Sequence, residues 1–66
     1  MKLGRMIALA RELKGLPLRE LEKLTGISNA LLSQIETGKV RDPGFRKMVK
    51  ISRALGVDLK HLADAD

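Results

Sequence analysis

"LRELEKLTGISNALLSQI", residues 18–35, holds two short amphipathic segments on either side of a single glycine. Leu18, Leu21 and Leu24 recur at helical spacing before Gly26, and Leu31, Leu32 and Ile35 after it. Ser28 is a candidate N-cap for the second segment. Gly26 permits the positive φ that a link of three or four residues requires. A turn this short holds two helices at a steep angle and leaves the second one protruding. Leu21, Gly26, Ile27, Leu32 and Ile35 are then the skeleton of the pair.

The second segment poses a chemical question. Charged residues make up 32% of the chain, yet residues 24–35 contain no Lys, Arg, Asp, Glu or His. A solvated helix face is normally lined with Lys and Glu. Here the outward positions would be Asn29, Ala30, Ser33 and Gln34. An ordinary exposed face is the bland explanation; a surface for neutral hydrogen bonding is the sharper one.

Working outward, 66 residues predict a single domain spanning 1–66. A domain of this size buries only about 60% of its unfolded surface, and without Cys no disulfide can assist. Phe45 is the sole aromatic residue, while Leu, Ile, Val, Met and Ala are plentiful. That composition predicts an all-α bundle, since sheets favour β-branched and aromatic runs. No apolar stretch approaches the ~18 residues of a membrane span, and no signal-peptide core precedes the first helix. A cytoplasmic protein without a membrane partner is the expectation.

The net charge of +5 favours a polyanionic partner, and its distribution says more. Lys39, Arg41, Arg46, Lys47, Lys50 and Arg53 crowd residues 39–53 against one anion, Asp42. After Val57 the balance reverses, with Asp58, Asp64 and Asp66 against Lys60.

Five helices follow from the periodicity. The first covers residues 3–13, with Leu3, Ile7 and Ala10 inward, and stops at Gly15. The second begins near Pro17 and ends before Gly26. The third runs from Asn29 to Thr37 and is closed by Gly38. Pro43 forbids an earlier start to the fourth, residues 45–55, whose inward positions are Phe45, Met48 or Val49, Ser52 and Leu55. The fifth, from Asp58 as N-cap to about residue 63, buries Leu59 and Leu62. Met6, Leu9 and Leu13 form a second apolar stripe on the first helix. It either packs on the fifth helix or contacts another protein.

"GLPLRELEKLTGIS", "LSQIETGK", "DPGF" and "ALGVDLKHL" carry a resemblance that spans nearly everything from Leu3 to Leu62. The chain resembles the phage-repressor Cro/cI-type (XRE-type) helix-turn-helix family. The resemblance implies a compact five-helix, lambda-repressor-like DNA-binding domain whose helix-turn-helix is formed by helices 2 and 3. The third helix would lie in the major groove, where base edges present donors and acceptors. Asn29 and Gln34 match base-contacting positions; Ala30 could meet a thymine methyl, and Ser28 and Ser33 are secondary candidates. Thr37, Lys39 and Arg41 match positions that grip phosphates. Backbone N–H groups at Gly44 and Phe45 would face a phosphate, as helix N-termini do, with Arg46 beside them. The family also places an ion pair at the positions of Arg11 and Glu36.

Three positions depart from the family pattern. Leu18 stands where Gln is frequent, so that phosphate contact passes to Arg19. Glu22 stands where a small Ala is usual at the helix crossing, and Thr25 where a larger apolar residue is common.

No enzyme is expected. His61 is solitary, Cys is absent, no base is arranged around a Ser, and no Gly-rich phosphate loop exists, so neither metal nor cofactor is implied. The expected function is sequence-specific binding of double-stranded DNA by a transcriptional regulator. A repressor that occupies a near-palindromic operator as a homodimer is the specific form, with half-sites ~34 Å apart. The alternative is a protein-interaction module on the same fold, antitoxin-like or adaptor, with the Met6/Leu9/Leu13 stripe meeting a protein partner.

Overall fold

A computed structural model describes residues 3–63. Among the described residues the chain is all helical: α1 (Leu3–Leu13), α2 (Leu18–Thr25), α3 (Asn29–Glu36), α4 (Phe45–Leu55) and α5 (Leu59–Ala63). Asp64, Asp66 and the ends of the 1–66 domain expectation lie outside the described residues. Pro17 is the residue before α2, as its missing N–H favours, and Ser28 caps α3 by accepting the Leu31 N–H at 3.1 Å. Asp58 does the same for α5, accepting the Lys60 N–H at 2.9 Å.

One core joins the five helices. Ile7, Leu21, Ile27, Leu32, Ile35, Ile51, Leu55 and Leu62 are buried in it together with Leu3. Each such side chain contributes about 1.5–3 kcal/mol through loss of apolar surface to water. α1 packs against α3, α4 and α5, and α2 against α3 and α4. α3 is thereby gripped along one side by α1 and α2.

The turn between α2 and α3 is locked by two residues. Gly26 adopts φ 74° and ψ 6°, and its N–H donates to the Glu22 carbonyl at 2.7 Å. Thr25 is buried; its Oγ1 donates to the Leu21 carbonyl at 2.7 Å and accepts the Ile27 N–H at 3.1 Å. A larger apolar side chain here would leave that buried N–H unpaired. Thr25 thus substitutes a hydrogen-bonded clamp for bulk. Of the other departures, Glu22 is half-buried without separating α2 from α3, and Leu18 packs against the core.

Several inward assignments are corrected. Phe45 is 74% exposed and Leu24 59% exposed, whereas Ile51 is fully buried. At 100° per residue, the buried face of α4 is centred between Met48, Ile51, Ser52 and Leu55, and Phe45 stands about 70° off it in the first turn. On α2, Leu21 and Thr25 define the inward direction, and Leu24 lies about 80° away. Leu59 is only half-buried. The second stripe on α1 divides: Met6 packs on the core, Leu9 is half-buried, and Leu13 is 88% exposed.

α1 meets the end of α3 through two features. Gly4 is buried, and a Cβ there would overlap the Ile35 carbonyl oxygen and lie 2.7 Å from that of Glu36. Glycine normally weakens a helix interior; here it lets two backbones touch. Two turns further along α1, Arg11 Nε donates to Glu36 Oε2 at 2.7 Å and Nη2 to Oε1 at 3.1 Å, a forked pairing. Nη1 donates to the Leu16 carbonyl at 2.7 Å, so the same guanidinium also fixes the α1–α2 link. The side chains are only 15% and 10% exposed.

The hydrogen bond to Glu36 raises the Arg11 pKa above its ordinary value; burial opposes this, and the charges of Glu36 and Glu12 add to it. A raised pKa on a cation contributes stability that persists at every pH below the ordinary arginine value. Arg11 therefore adds no pH dependence of its own in any ordinary buffer.

Two stability changes follow. Gly4→Ala gains helix propensity but must force two backbones apart, and a net loss of about 1–3 kcal/mol is expected in urea denaturation. Glu36→Gln strands a mostly buried guanidinium, and a loss of about 3 kcal/mol is expected. An apolar replacement of both partners, Arg11→Met with Glu36→Leu, should recover most of that loss in the same titration. A Glu36→Gln protein melting like the wild type would show that the pair is not a tie.

Candidate nucleic-acid interface

α3 owes its orientation to what it buries. Leu32 and Ile35 point into the core, and Leu31 is half-buried at the side. At 100° per residue, Asn29, Ala30, Ser33, Gln34 and Thr37 then occupy an arc of about 140° on the opposite side. Asn29, Ala30, Gln34 and Thr37 are exposed, and Ser33 is a half-buried short side chain set one turn from both Asn29 and Thr37. The five form one continuous surface that carries no formal charge.

Two hydroxyls at its edges already have local work. Ser28 Oγ accepts the Leu31 N–H, and Thr37 Oγ1 donates to the Gln34 carbonyl at 3.3 Å. Among the described residues, the amides of Asn29 and Gln34 have no side-chain hydrogen-bond partner, and both side chains are exposed, so each presents one donor group and one acceptor outward. Such an amide matches the acceptor and donor pair on the major-groove edge of adenine.

Residues 37–44 leave α3 as a loop pinned from inside. Gly38, at φ 85°, turns the chain, and its N–H donates to the Ile35 carbonyl at 3.2 Å. The Val40 N–H donates to the Gln34 carbonyl at 3.0 Å, Val40 packs on the core, and Pro43 is buried. Lys39 and Arg41, on either side of Val40, are therefore both held outward and exposed. The anchoring role of Val40 and Pro43 was not read from sequence. Their signal is an apolar residue among polar ones, and a proline legible only as a helix stop.

The start of α4 differs from expectation in one respect. The Gly44 N–H donates to Asp42 Oδ1 at 2.9 Å, so that group is not free for a phosphate. The first amide of the helical ladder is Met48, which donates to the Gly44 carbonyl at 3.0 Å. The amides of Phe45, Arg46 and Lys47 precede it and are the ones left at this helix end. Arg46 is exposed, as is Arg19 in the first turn of α2. Arg11 and Glu36 pair with each other and are largely buried.

The structure thus brings a neutral amide-bearing helix face beside a cationic loop that follows it directly in the chain. Similar proteins fit this geometry. The profile of the helix-turn-helix family matches residues 7–62. The HTH-type transcriptional regulator SlrR of Bacillus subtilis (strain 168) is 38% identical over 64 residues, 97% of this chain and 42% of SlrR. The chain therefore spans less than half the length of that relative. The solved N-terminal DNA-binding domain of SinR from Bacillus subtilis superimposes with a TM-score of 0.88 at 32% identity, over 94% of this chain and 90% of that domain. This chain belongs to the helix-turn-helix family.

Proposed function

We propose that this chain is a sequence-specific double-stranded DNA-binding transcriptional regulator, and that it acts by inserting α3 into the major groove. One observation carries the reading: an uncharged, outward-facing helix surface with two unengaged amides, bordered by exposed cations. A charged surface binds phosphate anywhere along a duplex. An amide surface discriminates between base edges. Asn29, Gln34 and Ala30 read bases, with Ser28 and Ser33 beside them. Lys39, Arg41, Arg46, Arg19, Thr37 and the first amides of α4 hold the backbone in register.

α3 has only eight residues, so one copy touches few base pairs. Two copies on a near-palindromic site double the contacts at half-site centres ~34 Å apart. A body of 26 × 22 × 20 Å between Cα atoms fits that spacing without overlap. Repression by occlusion of polymerase requires nothing beyond such binding. The reading as a protein-interaction module on the same fold draws less support, because Met6 and Leu9 are partly covered and Leu13 stands alone.

Selection of bound duplexes from a random pool tests the reading, with enrichment of a two-fold symmetric sequence as the expected result. Failure to retain any duplex, or retention without enrichment, would refute it. On the selected site, Gln34→Ala should lose about 1–3 kcal/mol of discrimination at one base pair per half-site. Its affinity for unrelated DNA should scarcely change. Lys39→Ala or Arg41→Ala should instead weaken all sequences alike and flatten log K against log salt by about 0.9 per lost contact. Competition titrations across salt concentrations separate the two outcomes.

A further inference from the structure

α4 carries four cations and no anion: its sequence FRKMVKISRAL holds Arg46, Lys47, Lys50 and Arg53. All four are exposed. At 100° per residue, Arg46, Lys50 and Arg53 fall within about 60° of one another, on the face directly opposite Ile51 and Leu55. They form a ridge along the outer side of the helix. Among the described residues, the two ion pairs are Arg11–Glu36 and Lys23–Glu20, and neither involves α4.

A solvated helix would ordinarily intersperse Glu between such cations, because like charges one turn apart repel. Two of the four also stand in the first turn, where the helix dipole disfavours cations. α4 accepts both costs without an internal counter-charge. The ridge begins at Arg46, next to the loop bearing Lys39 and Arg41, so a polyanion held by the loop would continue onto it. Charge complementarity with a polyanion, and continuity with that loop, identify the occupant.

We infer that Lys50 and Arg53 extend the backbone contact, and that the ridge of α4 binds phosphates of the same duplex outside the segment read by α3. The inference rests on the DNA-binding reading above. Its consequence is that affinity depends on flanking DNA of any sequence, through charge alone.

The test compares the wild type with a Lys50→Gln/Arg53→Gln protein on two duplexes. One is trimmed to the selected site; the other is extended by about one helical turn of random sequence, 10 base pairs, at each end. The wild type should bind the extended duplex more tightly, and the double variant should lose that advantage. Its salt slope on the extended duplex should flatten by about 1.8 per protomer, two contacts at 0.9 each. Thermal melting confirms that these exposed substitutions leave the fold intact, and single variants replace the double one if it does not. An unchanged salt slope, or an equal gain from flanks in both proteins, would overturn the inference. Lys39→Ala serves as the internal reference: if it flattens the slope and the ridge variant does not, the ridge inference alone has failed. If the wild type binds neither duplex, the DNA-binding reading has failed with it.

Discussion

The contact between α1 and the last turn of α3 determines where every other surface of the molecule points. Gly4 brings the two backbones together where no larger residue fits, and Arg11 clasps Glu36 with two charge-assisted hydrogen bonds. A helix of eight residues has little stability of its own. Its position relative to the loop that follows is fixed by what holds its C-terminal end. The same guanidinium reaches the Leu16 carbonyl, so the α1–α2 link, the start of α2 and the end of α3 share one anchor.

Polar atoms in the interior serve geometry more than affinity between helices. Thr25 illustrates this. Its hydroxyl accepts a buried N–H and donates to a carbonyl one turn back, which stiffens the turn at Gly26 without adding bulk. The loop after α3 follows the same logic with apolar residues: Val40 and Pro43 tuck inward, and the cations between and around them have only one direction left. Side-chain direction on the outer surface is thereby dictated from within.

Helix number and bounds were legible because Gly, Pro and N-cap residues punctuate the segments, and because α2 and α4 are strongly periodic. The neutral face of α3 was legible for a simpler reason: absence of charge over residues 24–35 is visible without a fold. The failures share a cause. Phe45 and Leu24 are large and apolar and sit near the inward direction, but periodicity does not say which neighbour covers a given turn. Ile51 was passed over although it fills the core. The role of Gly4 is invisible in its own helix, because the backbones it lets approach belong to Ile35 and Glu36, more than thirty residues away. Asp42 was counted as a lone anion, whereas its carboxylate occupies the Gly44 amide. These are contacts between distant segments or between a side chain and a backbone group, and spacing carries no record of them.

The outward arc of α3 contributes almost nothing to the core, since the residues that bury are Leu32 and Ile35. Asn29, Ala30 and Gln34 can therefore be exchanged with little effect on folding. On the proposed reading, duplicated copies of such a gene could drift apart in these few codons and acquire distinct targets while the scaffold stays under its original selection. For the same reason the domain suits recoding by saturation of three exposed positions, with anchor, turn and loop left as they are.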